Sequence, residues 1–372
     1  MDTITQAVLG AAVGQAVAGP TLGRKALVWG AIGGTIPDLD VIAGALVGPW
    51  QQLLWHRGPT HALWFGPVVG PLVGYAAWRY TGWRSRRFNT RFPNQPQREP
   101  GPLKAWIWLM ILAILTHPLL DVFTTYGTQL LSPFDDTRFA FNGVGIIDPI
   151  YTLVLAGALV ARRFWPDTQR RSALVALTLT TGYVLWGTWL NHRAESLAQT
   201  QLAEAGHGDV RVRAYPTIFQ LFLRRVVAVP ASGDDLQSGE VHVGYMTMWR
   251  PHPIAFKTVE PHRHAAVDAV LAHPHGELFR WFAMDMLLPT VTPGPAEGVP
   301  EGQVKVELDD LRYGFPETPR ESMWGISALA LDDGTLVDEP ARFRRPTPPD
   351  MSGKAKAIFT MAFGDDLQPA AP

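Results

Sequence analysis

The sequence contains no cysteine among its 372 residues. Disulfide bridges and cysteine-ligated zinc sites are therefore excluded. Charged residues are also scarce, at 17% of the chain, and the net charge at pH 7 is −1. Because a nucleic-acid partner requires a basic patch or stripe, we expect no binding to nucleic acid.

Charge is scarcest in the first half of the chain, where six apolar segments predict helices. A helix needs about 20 apolar residues to cross a hydrocarbon core of about 30 Å. Segments 61–80 and 172–191 meet this length, whereas the first, fourth and fifth segments are short or interrupted. The six segments are 3–19, 26–48, 61–80, 105–121, 146–161 and 172–191.

Basic residues alternate between the loops that join these segments. The loops after the first, third and fifth segments, together with Arg79 at the end of the third segment, carry 13 Lys and Arg, whereas those after the second and fourth carry only Arg57 and Arg138. Cytoplasmic loops are the ones that carry excess Lys and Arg. The pattern therefore predicts a multi-pass protein of the bacterial inner membrane, with its C-terminal half on the periplasmic side.

The second half of the chain has the composition of a small soluble domain. Alternating β-branched residues predict strands within 210–229 and 240–248, with further candidates at 302–313 and 323–331. An amphipathic helix is expected at 277–288. The predicted fold is an α-helical membrane domain of about six apolar helices, some short or broken, followed by a mostly-β domain. Its divisions are 1–191 for the membrane domain, 192–209 for a helical connector, 210–347 for the mostly-β domain and 348–372 for a flexible tail.

Histidines and aspartates lie in or beside the apolar segments, where charge is costly. A charged side chain in a spanning segment costs at least about 2.5–3.5 kcal/mol. Imidazole and carboxylate are ligands for zinc and similar divalent ions, so we expect a metal site near the outer face of the membrane. The residues concerned are in Pro37-Asp38-Leu39-Asp40, in His56-Arg57-Gly58-Pro59-Thr60-His61, in His117-Pro118-Leu119-Leu120-Asp121 and at Asp148. Proline predicts a break of the helix in the first motif, and proline and glycine predict a non-helical loop in the second. His117 and Asp121 are one turn apart on one face of the predicted helix.

Other interpretations of these residues are open. A lone histidine can tie helices together by hydrogen bonds, Asp38 and Asp40 can cap a broken helix, and Asp121 can be an N-cap or pair with Arg57. Chains of Asp and His also mark proton pathways. A second group of histidines is expected to lie in exposed loops without a metal role; it comprises His252, His262, His264, His273 and His275.

Four stretches together resemble the YdjM-type inner-membrane metal-dependent hydrolases, a family also described as LexA-binding. They are MDTITQAVLGAAVG at the start, PDLD, HRGPTH and THPLLDVFTTYGTQLLSPF, and the resemblance covers residues 1 to about 190. It implies a distant similarity to zinc-dependent phospholipase C. The metal positions that it implies are Asp38, Asp40, His56, His61, His117 and Asp121. Many relatives have a histidine where this chain has Gln6, so we do not expect the N-terminus to coordinate.

The predicted function is a membrane-bound metal-dependent hydrolase of an ester, such as a phosphoester of a lipid or of a membrane-proximal substrate. The ion, zinc by preference, would activate a water for attack. Asp40 or Asp148 would act as general base, and Arg57 would stabilise developing charge. The expected metal ligands are Asp38, His56, His61, His117 and Asp121. The alternatives are a non-catalytic membrane scaffold and a proton-coupled transporter.

Overall fold

The structure is a computed structural model that describes residues 1–161, 163–231, 236–261, 263–315, 322–344 and 351–364. The chain divides into two compact units. The helical unit consists of Met1–Val47, Trp55–Phe141 and Gly145–Trp186, and the sheet unit consists of Gly48–Leu54, Asn142–Val144 and Gly187–Pro372.

The first half of the chain is helical, as its apolar segments predict. Trp106, Leu109 and Met110 of the sixth helix are fully buried in the core of the helical unit. The helices are α1 (Thr3–Leu22), α2 (Arg24–Thr35), α3 (Asp40–Val47), α4 (Pro49–Trp55), α5 (Phe65–Arg91), α6 (Leu103–Asp121), α7 (Pro149–Ala161) and α8 (Gln169–Glu204).

Helices α1 and α2 approach each other closely because glycines line their contact. A Cβ atom on Gly10 would lie 2.2 Å from the carbonyl oxygen of Gly30, and one on Gly34 would lie 2.5 Å from the carbonyl oxygen of Gln6. Small residues four positions apart, as in Gly10 and Gly14 or Gly30 and Gly34, allow helix backbones to meet in this way. The contact fixes Gln6 of α1 and Gly34 of α2 beside the end of α6.

The Pro37-Asp38-Leu39-Asp40 sequence breaks the second apolar segment, as expected. Proline lacks the N–H that would continue α2, and a short 3-10 turn, Pro37–Leu39, separates α2 from α3. The parts Arg24–Thr35 and Pro37–Gly44 are bent by 44° relative to each other. The break brings Asp38 and Asp40 to the end of α2.

Two of the described helices, α6 and α8, are long and apolar enough to cross a membrane, and the bent pair α2 and α3 makes a third if it is one span. The expectation of about six apolar helices, some of them short or broken, is therefore not confirmed. Helix α7 is short, and glycine, proline and aromatic residues dilute the hydropathy of α5, which contains most of segment 61–80.

The second half of the chain is mostly β, as predicted, and forms two antiparallel sheets of four strands in sequential order. Val227 and Val243 of the first sheet share a buried cluster with Leu288 of the second. The first sheet contains β1 (Val210–Pro216), β2 (Leu223–Pro230), β3 (Val241–Thr247) and β4 (Lys257–Val259). The second contains β5 (Leu287–Pro293), β6 (Gln303–Asp310), β7 (Trp324–Leu331) and β8 (Ala341–Arg344).

The helices that accompany the sheets differ from the sequence expectation. They are α9 (Ala265–Ala272), α10 (Pro274–Phe282) and α11 (Met351–Phe363). The helix expected at 277–288 ends early because Met284 and Asp285 have positive φ angles of 53° and 60°. Part of the expected flexible tail is α11, whose Ile358 and Ala362 share a buried cluster with Leu223. Residues 348–350 and 365–372 of that tail lie outside the described residues.

Candidate metal site in the helical unit

Two histidines and two aspartates from three segments bring their side chains together in the helical unit. The Nε2 atoms of His61 and His117 are 3.1 Å apart. Asp38 Oδ1 lies 3.3 Å from His117 Nε2 and 3.8 Å from His61 Nε2. Asp121 Oδ2 lies 3.5 Å from His117 Nε2 and 3.4 Å from His61 Nε2. Each aspartate therefore completes a triangle with the same pair of ring nitrogens.

The Nδ1 atoms of His61 and His117 are each in contact with oxygen atoms of other residues. His117 Nδ1 donates to the carbonyl oxygen of Gly34 over 2.6 Å. His61 Nδ1 lies 3.0 Å from Thr60 Oγ1 and 3.3 Å from Asp40 Oδ2. In a neutral imidazole only one nitrogen carries a proton, so these contacts leave the Nε2 lone pairs of both rings directed at each other. Such outer contacts are the ones that orient metal-bound histidines.

The arrangement fits a divalent ion. Ligands 2.0–2.1 Å from a tetrahedral zinc ion lie about 3.3–3.4 Å from one another, and the five distances above run from 3.1 to 3.8 Å. Two lone pairs and two carboxylate oxygens at this spacing repel one another unless a cation or a proton lies among them. Within the described part of the chain, the buried Gln6 Oε1 beside them has no hydrogen-bond donor. The residues present therefore suit an ion such as zinc.

Asp121 also carries contacts that balance its charge. Arg57 Nε lies 3.0 Å from Asp121 Oδ2, Gln6 Nε2 donates to Asp121 Oδ1 over 2.9 Å, and the α-amino group of Met1 contacts the same Oδ1. The pairing of Asp121 with Arg57 that the sequence left open is thus present. Asp38, Asp40 and Asp121 set three carboxylates against the guanidinium of Arg57, so the group remains net negative when its histidines are neutral.

Arg57 has an unusual backbone conformation. Its φ angle is +60°, a left-handed conformation that costs a non-glycine residue about 1–2 kcal/mol. Two hydrogen bonds fix it, from Arg57 N to Asp40 Oδ2 at 3.0 Å and from Gln129 N to the Arg57 carbonyl oxygen at 2.9 Å. The side chain is buried and also donates to Thr124 Oγ1 over 2.7 Å. This backbone conformation directs the Arg57 guanidinium towards Asp121.

Asp40 and His56 lie beside this group rather than among its four converging atoms. Asp40 accepts hydrogen bonds from His56 Nδ1 at 3.0 Å, from the Arg57 backbone and from Thr60 Oγ1 at 3.1 Å. The His56 ring lies edge-on to Tyr126, with the ring centroids 5.2 Å apart. Asp40 thus orients His61 and its loop, and His56 binds Asp40.

Asp148 has a different place in the helical unit. Its Oδ1 accepts from the backbone N–H of Tyr151 over 3.0 Å, and its Oδ2 accepts from the hydroxyl of Tyr183 over 2.9 Å. A side chain that accepts from an N–H in the first helical turn acts as a cap, here at the start of α7. The structure therefore brings together Asp38, Asp40, His56, Arg57, His61, His117 and Asp121 but gives Asp148 a capping role.

Sequence reasoning missed three contributors to the site. Gln6 binds Asp121, Thr60 binds both Asp40 and His61, and the Gly34 carbonyl binds His117. A backbone carbonyl leaves no signal in a sequence. Thr60 lies between Pro59 and His61, so its place in the motif was the one signal that could have indicated it.

Of the histidines in the second group, those that the structure describes have hydrogen-bond or ring contacts within the sheet unit. His264 Nδ1 accepts from Ala266 N at the start of α9, and His273 Nδ1 accepts from His275 N at the start of α10. His275 stacks on Trp50 within the sheet unit, and His252 Nδ1 donates to the Pro253 carbonyl oxygen. His262 lies outside the described residues.

Comparisons with known proteins agree with the resemblance of the first half. The chain is 27% identical to the uncharacterized protein YfhP of Bacillus subtilis (strain 168) over 175 residues, which are 44% of this chain and 46% of that protein. It is 28% identical to the inner membrane protein YbcI of Escherichia coli (strain K12) over 138 residues, which are 37% of this chain and 69% of that protein. The match thus covers less than half the length of YfhP. No solved structure matches the chain.

The family model described as YdjM inner membrane protein matches residues 1–194, a little over half of the chain. The matched range contains all of the helical unit and every residue of the candidate metal site. The chain therefore belongs to the YdjM inner membrane protein family.

Proposed function

We propose that this protein is a metal-dependent hydrolase of the inner membrane whose divalent ion, zinc by preference, is held by His61, His117, Asp38 and Asp121. The observation that carries the proposal is the 3.1 Å approach of two imidazole Nε2 atoms whose Nδ1 atoms are both engaged. Membership of a family of inner membrane proteins supports the location.

The four proposed ligands differ in their access to solvent, so the site is open on one side. The side chains of His61, His117 and Asp121 are completely buried, whereas that of Asp38 is 16% exposed. Its Oδ2 accepts from Thr3 Oγ1 over 3.2 Å at the exposed edge. A substrate would therefore enter past Asp38. When bound, the ion would supply Lewis-acid polarisation and a water of lowered pKa in an open position.

The other side chains would prepare this site for binding. Asp40 holds His61 through its Nδ1 atom, and Arg57 compensates part of the charge on Asp121. Arg57 stays our candidate for stabilising charge on the reacting group. Asp40 and Asp148 remain the candidates for the general base, although Asp148 caps α7 and Asp40 already accepts several hydrogen bonds.

The substrate class follows from the position of the ligands on the apolar helices. His117 and Asp121 lie in the last turn of α6, a candidate span, and Asp38 lies at the break of the bent pair. An ester that reaches this depth belongs to a lipid or to a molecule held at the membrane surface. We therefore propose a lipid ester, a phosphoester in the first instance, as substrate.

Chelation and reconstitution of the purified protein test the hydrolase proposal. We expect hydrolysis of a phospholipid in mixed micelles, assayed by release of the phosphorylated headgroup, to cease after the metal is chelated. Zinc added back should restore it, because the ion supplies the activated water. Hydrolysis that persists in folded, metal-free protein, or a folded protein that binds no metal at all, would contradict the proposal.

We further propose that the helical half is multi-pass and that the sheet unit lies on the periplasmic side, because the basic residues are concentrated on alternate loops. A reporter that is active only in the periplasm should be active when fused after Gly206 and inactive when fused after Asn94. The reverse pattern would show that the orientation is inverted.

A non-catalytic scaffold is the second candidate, and the buried pair of Arg57 and Asp121 favours it. Buried ion pairs can serve conformational specificity without any chemistry. A scaffold of this kind would hold no metal at His61 and His117 and would hydrolyse no ester, so the chelation experiment separates the two.

A further inference from the structure

A second set of metal-ligating side chains lies in the sheet unit, beyond the residues that match the family. His207 Nδ1 is 3.1 Å from Glu240 Oε2, and His242 Nε2 is 3.8 Å from the same oxygen. The three ligand atoms all lie within 4.8 Å of one another. This spacing is comparable with that of ligands around one tetrahedral ion.

The backbone holds His207 at this place. Helix α8 ends in a left-handed glycine, Gly206, with a φ angle of 89°. The N–H of His207 donates to the Leu202 carbonyl oxygen over 2.8 Å, and that of Gly206 donates to the Ala203 carbonyl oxygen over 3.1 Å. These two bonds are those of a Schellman motif, so His207 has a defined position.

Strand β3 supplies the other two ligands. Glu240 directly precedes the strand and His242 is its second residue, and side chains two positions apart point to the same side. His242 is paired across the sheet with Thr258, and His242 Nδ1 lies 2.9 Å from Thr258 Oγ1. The ring is therefore oriented by an outer contact of the kind that metal-bound histidines have.

His242 provides an independent indication of a ligand. Its side chain is only 2% exposed, and within the described residues its Nε2 atom has no hydrogen-bond partner. A buried nitrogen without a partner costs free energy, and this one is directed towards Glu240 and the ring of His207, whose centroid is 4.6 Å away. A bound ion would satisfy it.

We propose that His207, Glu240 and His242 bind a divalent transition-metal ion, with zinc the best match to two imidazoles and one carboxylate. Three protein ligands leave a fourth position for water. His207 and Glu240 are 42% and 38% exposed, so the ion exchanges with solvent readily. It links the end of α8 to β3. The site is independent of the hydrolase proposal and uses none of its residues.

Zinc titration of the full-length protein in detergent tests this site. The wild-type protein should bind one equivalent of zinc that His207→Ala and Glu240→Gln each remove. His192→Ala serves as the matched control, because His192 is a 73% exposed histidine of α8, and it should bind as the wild type does. Thr258→Val should weaken binding about 10- to 100-fold, because it removes the contact that orients His242.

The same titration in a His61→Ala background separates the two metal sites. The equivalent that depends on His207 should persist there, whether or not the helical unit binds an ion. Because His207 and Glu240 are partly exposed, their variants should fold even if a change at the buried His242 does not. The proposal is overturned if folded His207→Ala and Glu240→Gln proteins bind as many equivalents, and as tightly, as the wild type.

Discussion

Replacing His61 by alanine is expected to remove one equivalent of tightly bound zinc, the equivalent that the His207→Ala protein retains. His61 offers one of four ligand atoms, and His117 Nε2 lies 3.1 Å from it. Structural zinc sites bind with about 10–16 kcal/mol, which is about 2.5–4 kcal/mol for each of four ligands. The loss of one ligand should therefore weaken binding roughly 100- to 1,000-fold. Metal analysis of purified protein measures this.

A graded series distinguishes ligation from a general loss of structure. Asp40→Asn should weaken zinc binding by only about 10- to 100-fold, because Asp40 acts through His61 Nδ1. His192→Ala should leave the zinc content unchanged. Circular dichroism and the elution volume show whether each variant is folded. If folded His61→Ala and His117→Ala proteins keep the full complement of zinc, the pair does not hold an ion.

The sequence predicted the members of the site better than their roles. Proline and glycine in the two loop motifs indicated non-helical backbone that presents Asp38 and His61, and the four-residue spacing of His117 and Asp121 indicated one helix face. The sequence could not separate the proposed metal ligands from the residues beside them, because that distinction depends on which ring nitrogen contacts which oxygen. In the structure Asp40 contacts the Nδ1 atom of His61, opposite the Nε2 atom of the proposed metal site, and Asp148 caps α7.

Elements of the fold that have a local sequence pattern were predicted, whereas those that depend on contacts with distant residues were missed. Alternation predicted β1, β2 and β3, and Pro37 predicted the break after α2. Helix α11 was missed because its proline-rich flanks dominated the composition, and its buried Ile358 and Ala362 depend on a distant strand. The group of His207, Glu240 and His242 was missed because it also depends on contacts between residues that are distant in the sequence. Only the antiparallel sheet and the end of α8 bring these side chains together.

Replacing Arg57 by methionine should strongly destabilise the protein when it is free of metal. The change leaves Asp121 buried, with its Oδ2 no longer 3.0 Å from a guanidinium nitrogen. Breaking a buried ion pair by removing one partner costs about 3–5 kcal/mol. If the helical unit unfolds as one cooperative unit of about 150–250 residues, that corresponds to a fall of about 6–20 °C in its melting temperature. Thermal unfolding in detergent measures it, and Arg84→Met, a change on the exposed face of α5, is the control.

The same variant tests whether Asp121 shares its charge with an ion. In zinc-loaded protein the ion compensates the Asp121 carboxylate, so the effect of Arg57→Met should be clearly smaller than in chelated protein. In an Asp121→Asn background the arginine has no carboxylate to neutralise, and the coupling between the two positions should appear as a strong departure from additivity. An equal loss of stability with and without zinc would mean that Asp121 belongs to Arg57 alone, and the ion would then have to rely on His61, His117 and Asp38.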